Sequence, residues 1–218
     1  GFTAAHADEG MWLLKLMKQQ HLEDSLRKAG LQLPATALYS ETAPSLRDCI
    51  GIFGGGCTGE VVSPEGLILT NHHCGFSYVH EMSGIGHDYM KDGYFAHNRS
   101  EELRTPASLT FTFVKRITDV TAQVNAEAVK KHADEYTRQS IGFLEPIAQK
   151  MLKKSEFAKL KGMTARIVPY FGGNQFYIFF EQKYQDIRLV ANPPYNIGQF
   201  GGNSDNWMWP RHNADFCM

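Results

Sequence analysis

The sequence predicts a mainly β fold with inserted helices, a six-stranded type of β-barrel or most of one. Three observations predict it. A tight hairpin spans residues 57–70, apolar runs typical of strands cover 108–118 and parts of 165–192, and the segment between those runs has helical periodicity. At 218 residues and 43% hydrophobic, the chain is long enough to bury a core as one large domain or two small ones.

Charge and hydropathy exclude several classes of function. The formal net charge of −1 gives no indication of a nucleic-acid or anionic-membrane surface. No apolar run approaches the ~20 residues of a membrane span. The opening residues 1–7 lack the charged-then-apolar pattern of a signal peptide, so we expect a processed or engineered start, with the mature protein beginning near Ala7 or Asp8.

The first predicted element is a helix over residues 9–29. Apolar residues recur there at three- and four-residue steps, Asp8 can serve as N-cap, and Gly30 can end the helix. A strand is expected through Ile52-Phe53. The three glycines 54–56 that follow allow the backbone angles of a tight bend.

A hairpin then carries the most informative residues. Val61-Val62 and the run 67–70 read as two strands joined by the turn residues 63–66, and so close a connection makes them antiparallel. Cys57 and Cys74 lie at its open ends, close enough for a disulfide, which would imply an oxidising compartment. Two reduced core cysteines are the alternative. Cys49 and Cys217 have no obvious partners.

The remaining elements alternate between strand and helix. We expect loops with a short helix around Phe76–Glu81, a strand over 108–118, a helical stretch over 120–161, and strands over 165–169, 176–184 and 187–192. This order predicts three segments. They are an N-terminal helix with the first part of the β domain (1–118), a helical insertion (119–163) and a return to the β domain (164–218).

His73 is the candidate catalytic base. A histidine held at the end of a strand beside a crosslinked cysteine has the rigidity and exposure that general-base catalysis needs. Its neighbour His72 is a less favoured candidate for the same role. A metal site at His72, His73 and Cys74 is a third reading, although adjacent ligands rarely point the same way and the spaced pairs usual for zinc are missing.

A histidine base needs a carboxylate that orients it, and Asp215 is the candidate because an apolar strand begins there in the sequence. An ordinary turn aspartate is the alternative. No Gly-Asp-Ser-Gly or Gly-x-Ser-x-Gly motif supplies a nucleophile, and Ser204 lacks the glycine that would open an oxyanion turn. Since Met218 ends the chain in what reads as mid-strand, we expect an N-terminal fragment whose nucleophile lies downstream.

Two long blocks, 55–76 and 201–216, resemble the bacterial serine dipeptidyl peptidases typified by dipeptidyl peptidases 7 and 11, and residues 7–12 resemble their mature start. The resemblance implies a chymotrypsin-like double β-barrel with a large helical domain, in a homodimer that is periplasmic, secreted or at the cell surface. It implies release of dipeptides from the free N-terminus of oligopeptides, with His73 as base and Asp215 as its carboxylate. Neither a metal nor an organic cofactor is implied.

The same resemblance assigns Asn206 and Trp207 to the subsite that binds the substrate ammonium. An amide oxygen can accept from the ammonium and an indole can stack on the substrate. Without the family likeness they read as a turn asparagine and a core tryptophan. The chain alone should be inactive, and it does not choose between acidic and bulky apolar second residues of the substrate. A non-catalytic protein that binds peptide N-termini on the same fold is the main rival reading.

Overall fold

A computed structural model describes residues 14, 17, 22–198 and 214–218. The chain divides into two compact units, with the boundary between Asp48 and Cys49. None of the helices within the described residues is long and apolar enough to cross a membrane.

In the first unit the described helices are α1 (Leu22–Lys28) and α2 (Ala35–Leu38). Helix α1 carries acidic residues in its first turn and basic residues in its last turn, as its macrodipole favours. Gly30 has φ +106°, consistent with its predicted place just beyond the helix end. Most of the predicted helix before Leu22 lies outside the described residues.

Ten strands lie within the described residues of the second unit. A six-stranded antiparallel sheet has the order β3-β2-β1-β6-β8-β7, and two further pairs, β4 with β10 and β5 with β9, form small antiparallel sheets. The strands are β1 (Ile50–Phe53), β2 (Cys57–Val61), β3 (Ile68–Leu69), β4 (Tyr94–Phe95), β5 (Leu103–Arg104), β6 (Phe111–Asp119), β7 (Met163–Tyr170), β8 (Gln175–Tyr184), β9 (Arg188–Leu189) and β10 (Ala191–Asn192).

The part of this unit that the structure describes also contains six helices, which connect or cover the strands. They are α3 (His72–Met82), α4 (Tyr89–Asp92), α5 (Thr121–Lys130), α6 (Glu135–Arg138), α7 (Ile141–Lys154) and α8 (Tyr195–Gly198). Helices α5–α7 occupy the predicted helical stretch. Ser140 caps α7 by accepting from the Phe143 N–H. Short 3-10 turns cover Leu46–Cys49, Arg99–Glu101 and Phe171–Gly173.

The larger core lies between helices α5 and α7 and strands β7 and β8. Residues of α7 that recur at three- and four-residue steps face it, as do alternate residues of β8. Its buried members are Val120, Val124, Ala128, Phe143, Leu144, Ile147, Ala148, Leu152, Ala165, Ile167, Phe176, Ile178 and Phe180.

A smaller core supports the hairpin that precedes α3. Phe53, Leu109 and Phe111 are buried there, with the disulfide cysteines packed against them. The Phe111 ring lies against β1 and β2 so closely that a Cβ at Gly51 would fall 2.3 Å from it. Only glycine permits this approach. Gly54 (φ +57°) and Gly56 (φ +150°) form the predicted bend between β1 and β2.

The predicted mainly β fold with inserted helices is confirmed at this level. Within the described residues β3 and β7 are the edges of the six-stranded sheet and do not pair with each other. The expected single strand over 187–192 is instead β9 and β10 in different sheets. The break falls at Val190, whose N–H donates to the Met218 carbonyl.

Candidate active site

His73 lies in the first turn of a helix, which corrects the expected strand end. The chain remains strand-like as far as Thr70, where the Thr70 N–H donates to the Cys217 carbonyl (2.9 Å) and the Cys217 N–H to the Thr70 carbonyl (2.7 Å). Asn71 is the extended N-cap residue of α3. His72, Gly75 and Val79 form the buried side of this helix at three- and four-residue spacing. The predicted helix over 76–81 is therefore the second half of a longer one.

Cys57 and Cys74 form a disulfide whose Cα atoms are 6.0 Å apart. It joins the beginning of β2 to the first turn of α3, directly beside His73. Cys49 is an exposed free thiol, and Cys217 is a buried one. Burial raises the pKa of the Cys217 thiol to about 12, so this cysteine stays protonated and unreactive.

The imidazole of His73 faces the carboxylate of Asp215. Nδ1 of His73 lies 2.8 Å from Oδ2 of Asp215, and the backbone N–H of His73 donates to Oδ1 (3.1 Å). The carboxylate thus lies at the N-terminus of α3, where a negative charge is favoured. The side chain of Asp215 is 10% exposed, whereas that of His73 is 57% exposed. Nδ1 meets the carboxylate, and Nε2 is on the opposite side of a solvent-accessible ring.

Asn71 is a site residue that the sequence interpretation missed. Its amide donates to both Oδ2 and the backbone carbonyl of Asp215, at 3.2 Å each. Asparagine at an N-cap usually accepts from the helix backbone, but Asn71 makes no such bond. The Asp215 carboxylate accepts from the N–H of the helix in place of Asn71. The Asn71 side chain, in turn, orients the carboxylate. The available signal was its place directly before His72 and His73 in the sequence.

Backbone hydrogen bonds hold Asp215 in this place. The Ala214 N–H donates to the Ile197 carbonyl (2.8 Å), Cys217 pairs with Thr70, and the Met218 N–H donates to the Ala191 carbonyl (2.8 Å). The described segment 214–218 therefore lies between the β3–α3 junction and β10. Asp215 is not in a regular strand, contrary to the sequence interpretation, since only Cys217 forms a single bridge.

His72, the second candidate base, is buried and directed elsewhere. It is 1% exposed, and its Nδ1 lies 2.8 Å from Oδ1 of Asn192. Burial lowers the pKa of His72 from its ordinary value of 6.5, against the opposing effects of the Asn192 hydrogen bond and the Asp215 charge. This histidine is therefore held in its neutral form.

The donor set does not fit the metal reading. Ligand atoms of Cys57, His73 and Cys74 lie within 4.8 Å of one another. Cysteine binds zinc and related ions as a thiolate, however, and both sulfurs are joined in the disulfide. His72 directs its Nδ1 at Asn192 instead.

A groove of about 500 Å³ lies against the other face of α3. Gly75, Tyr78 and Val79 line it together with Cys217 and Met218, while His73 and Asp215 do not. The catalytic candidates thus do not contribute to this groove. Ser204, Asn206 and Trp207 lie outside the described residues, so their roles stay predictions.

Comparison with known proteins identifies the family. The model of the family Peptidase S46 matches residues 7–218. The dipeptidyl-peptidase 7 of Phocaeicola vulgatus is 49% identical over 217 residues, covering 100% of this chain and 30% of the relative. An Asp/Glu-specific dipeptidyl-peptidase of Porphyromonas endodontalis is 41% identical over 222 residues, covering 99% and 30% respectively.

Solved structures match as well. The crystal structure of Porphyromonas endodontalis DPP11 in complex with the dipeptide Arg-Glu has a TM-score of 0.85 at 39% identity, covering 97% of this chain and 30% of that one. The chain spans about 30% of the length of these relatives. Because the family match extends over nearly all of its residues, the chain belongs to the Peptidase S46 family.

Proposed function

We propose that this chain is the N-terminal part of a serine exopeptidase that releases dipeptides from the free N-terminus of oligopeptides. The observation that carries the proposal is the contact of 2.8 Å between His73 Nδ1 and Asp215 Oδ2, with the carboxylate covered and the imidazole exposed. The relatives' names, dipeptidyl-peptidase 7 and Asp/Glu-specific dipeptidyl-peptidase, indicate the reaction.

The geometry supports a serine-peptidase mechanism. Asp215 accepts from Nδ1–H of His73, which leaves Nε2 as a lone-pair acceptor. Nε2 takes the proton of the serine hydroxyl as the oxygen attacks the scissile carbonyl, and then returns it to the leaving amine. Asp215 keeps the tautomer and stabilises the imidazolium. The serine belongs to the part of the protein beyond this chain, so this chain alone forms no acyl-enzyme.

Substrate recognition is proposed from the family likeness. Asn206 and Trp207 bind the substrate's terminal ammonium, which restricts cleavage to free N-termini. Relatives named dipeptidyl-peptidase 7 and relatives named Asp/Glu-specific dipeptidyl-peptidase both match this chain, and the proposal assigns the choice of the second substrate residue to the part of the protein beyond it.

The architecture of the whole enzyme is part of the same proposal. Residues 1–118 and 164–218 contribute to a chymotrypsin-like double β-barrel, with 119–163 inserted as helices, and the enzyme acts as a homodimer. A disulfide beside the catalytic histidine supports a periplasmic, secreted or cell-surface location, because disulfides persist in oxidising compartments.

The test is cleavage by the full-length protein and its His73→Ala variant. With dipeptidyl fluorogenic substrates, we expect kcat to fall by about 10⁴-fold or more, because the base is lost. His132→Asn is the matched control. It removes another exposed imidazole at a position with φ +52°, which asparagine tolerates, and should keep full activity.

Labelling with a serine-directed fluorophosphonate separates the rival function. The wild-type protein should be labelled and His73→Ala should not, because the serine then lacks its base. Peptide binding without labelling or cleavage of any substrate would instead identify a non-catalytic protein that binds peptide N-termini.

A further inference from the structure

The buried pair His72 and Asn192 lies next to the proposed catalytic residues, and the proposed mechanism gives it no role. Asn192 is fully buried, and its amide nitrogen donates to the carbonyls of Pro193 (3.0 Å) and Tyr89 (3.3 Å). Because the nitrogen is engaged as a donor, the oxygen Oδ1 faces His72 as an acceptor. His72 therefore carries its proton on Nδ1.

A histidine is energetically unfavourable at the buried position 72 if its only role is packing. Its ring lies near Phe76 and Tyr195, and a Cβ at Gly198 would fall 2.7 Å from Nδ1. Its second nitrogen, Nε2, has no hydrogen-bond partner among the described residues. A buried acceptor without a partner costs about 1–3 kcal/mol. A leucine or phenylalanine would avoid this cost, so packing alone does not explain a histidine here.

The first turn of α3 is attached through three consecutive residues. His72 bonds Asn192 on β10, His73 bonds Asp215 in the segment 214–218, and Cys74 is crosslinked to Cys57 on β2. Consecutive helical side chains are about 100° apart around the axis. The three attachments therefore lie in three directions around the helix axis, and together they fix the rotation about that axis of the turn that carries His73.

We propose that His72 and Asn192 are positioning residues of the proposed peptidase, whose hydrogen bond fixes the rotation of the first turn of α3 so that the His73 imidazole meets Asp215 and presents Nε2 to the substrate. The inference depends on the proposed function. Neither side chain touches substrate. Reacting groups misplaced by about 1 Å can lose about 10²-fold in rate, so a small rotation of this turn is enough to matter.

The decisive comparison is between His72→Asn and His72→Leu in the full-length protein. Asparagine and leucine have nearly the same shape, and both remove the imidazole ring. Only asparagine keeps an N–H donor close to the position of Nδ1. We expect His72→Leu to lower kcat by about 30-fold with KM changed by less than about 3-fold, and His72→Asn to recover at least a third of the wild-type kcat.

Asn192→Leu provides the second arm. It should lower kcat to a similar extent, and the double variant His72→Leu/Asn192→Leu should be little worse than either single variant, because both remove the same bond. Equal kcat for His72→Asn and His72→Leu, or additive losses in the double variant, would overturn the positioning role.

Two controls separate the possible failures. Thermal melting identifies a variant that does not fold. If a His72 variant fails to fold, the kcat of Asn192→Leu tests the positioning role, and if Asn192→Leu fails to fold, the two His72 variants test it. A wild-type protein that cleaves and reacts with the fluorophosphonate, combined with unaffected variants, refutes the positioning role and leaves the proposed function standing. A wild-type protein that does neither refutes the proposed function, and the positioning role with it.

Discussion

At the scale of single residues, the site depends on the groups that donate hydrogen bonds to Asp215. The carboxylate accepts from the His73 ring, the His73 backbone and the Asn71 amide. A carboxylate with several donors is well fixed in direction. Asn71 gives up its capping bond for this purpose, which indicates that its position serves Asp215 and not the stability of α3.

We therefore expect Asn71→Ala to lower kcat by about 10-fold, because Asp215 loses a donor to its carboxylate and one to its backbone carbonyl. Asn71→Asp should be worse, since it places a second carboxylate beside the first, although aspartate is as good an N-cap as asparagine. Steady-state kinetics of the full-length variants measures both. If only helix capping mattered, Asn71→Asp would be as active as wild type.

At the scale of elements, the sequence predicted the hairpin, the helices over 121–154 and the long strands, because each has a clear local pattern. It also indicated His73 and Asp215 as a pair, and the structure brings them together. It did not predict that α3 begins at His72, because two of the three buried positions of that helix are His72 and Gly75, which periodicity does not count as apolar. The split between β9 and β10 depends on Met218, a distant partner.

The disulfide fastens one of these elements to another. It joins two residues with a sequence separation of 17, on β2 and α3, and for a loop of this size chain entropy gives a stabilisation of about 3 kcal/mol. We expect the double variant Cys57→Ser/Cys74→Ser to lower the free energy of unfolding by about that amount and to reduce kcat as well, since the first turn of α3 loses one attachment.

Chemical denaturation and kinetics of the full-length protein provide the measurement. Cys49→Ser is the matched control, because Cys49 is exposed and free and should contribute to neither quantity. Full stability and full activity in the double variant would show that the remaining hydrogen bonds suffice to hold the helix start.

At the scale of the whole molecule, the large core and the proposed site lie at opposite edges of the six-stranded sheet. Helices α5 and α7 cover β7 and β8, whereas His73 follows the two-residue edge strand β3. The site is therefore held by specific bonds to short segments, by a crosslink and by the smaller core, and not by the larger core. The buried, neutral His72 makes one of those bonds, to Asn192. Protonation of its ring should therefore affect the stability of the whole fold.

The pH dependence of stability tests this coupling. The pKa of His72 is lowered in the folded protein, so below about pH 6.5 the unfolded chain binds a proton that the folded protein does not. The contribution of His72 to the free energy of unfolding is constant above pH 6.5. It is lost as the pH falls from 6.5 through the lowered pKa of His72 in the folded protein. Asp215 and His73 are the titratable groups that act on His72, and both remain in the non-titrating variant His72→Leu.

We therefore expect the melting temperature of the wild-type full-length protein minus that of His72→Leu to fall steadily as the pH is lowered from 7.5 to 5. The reason is that on acidification the unfolded wild-type chain binds a proton at His72 that the folded protein does not bind, which lowers the stability of the wild-type protein. The variant has no such group at position 72. Thermal melts of both proteins across this range provide the measurement. A signed difference that stays constant, or that rises on acidification, would show that His72 is not held neutral in the folded protein.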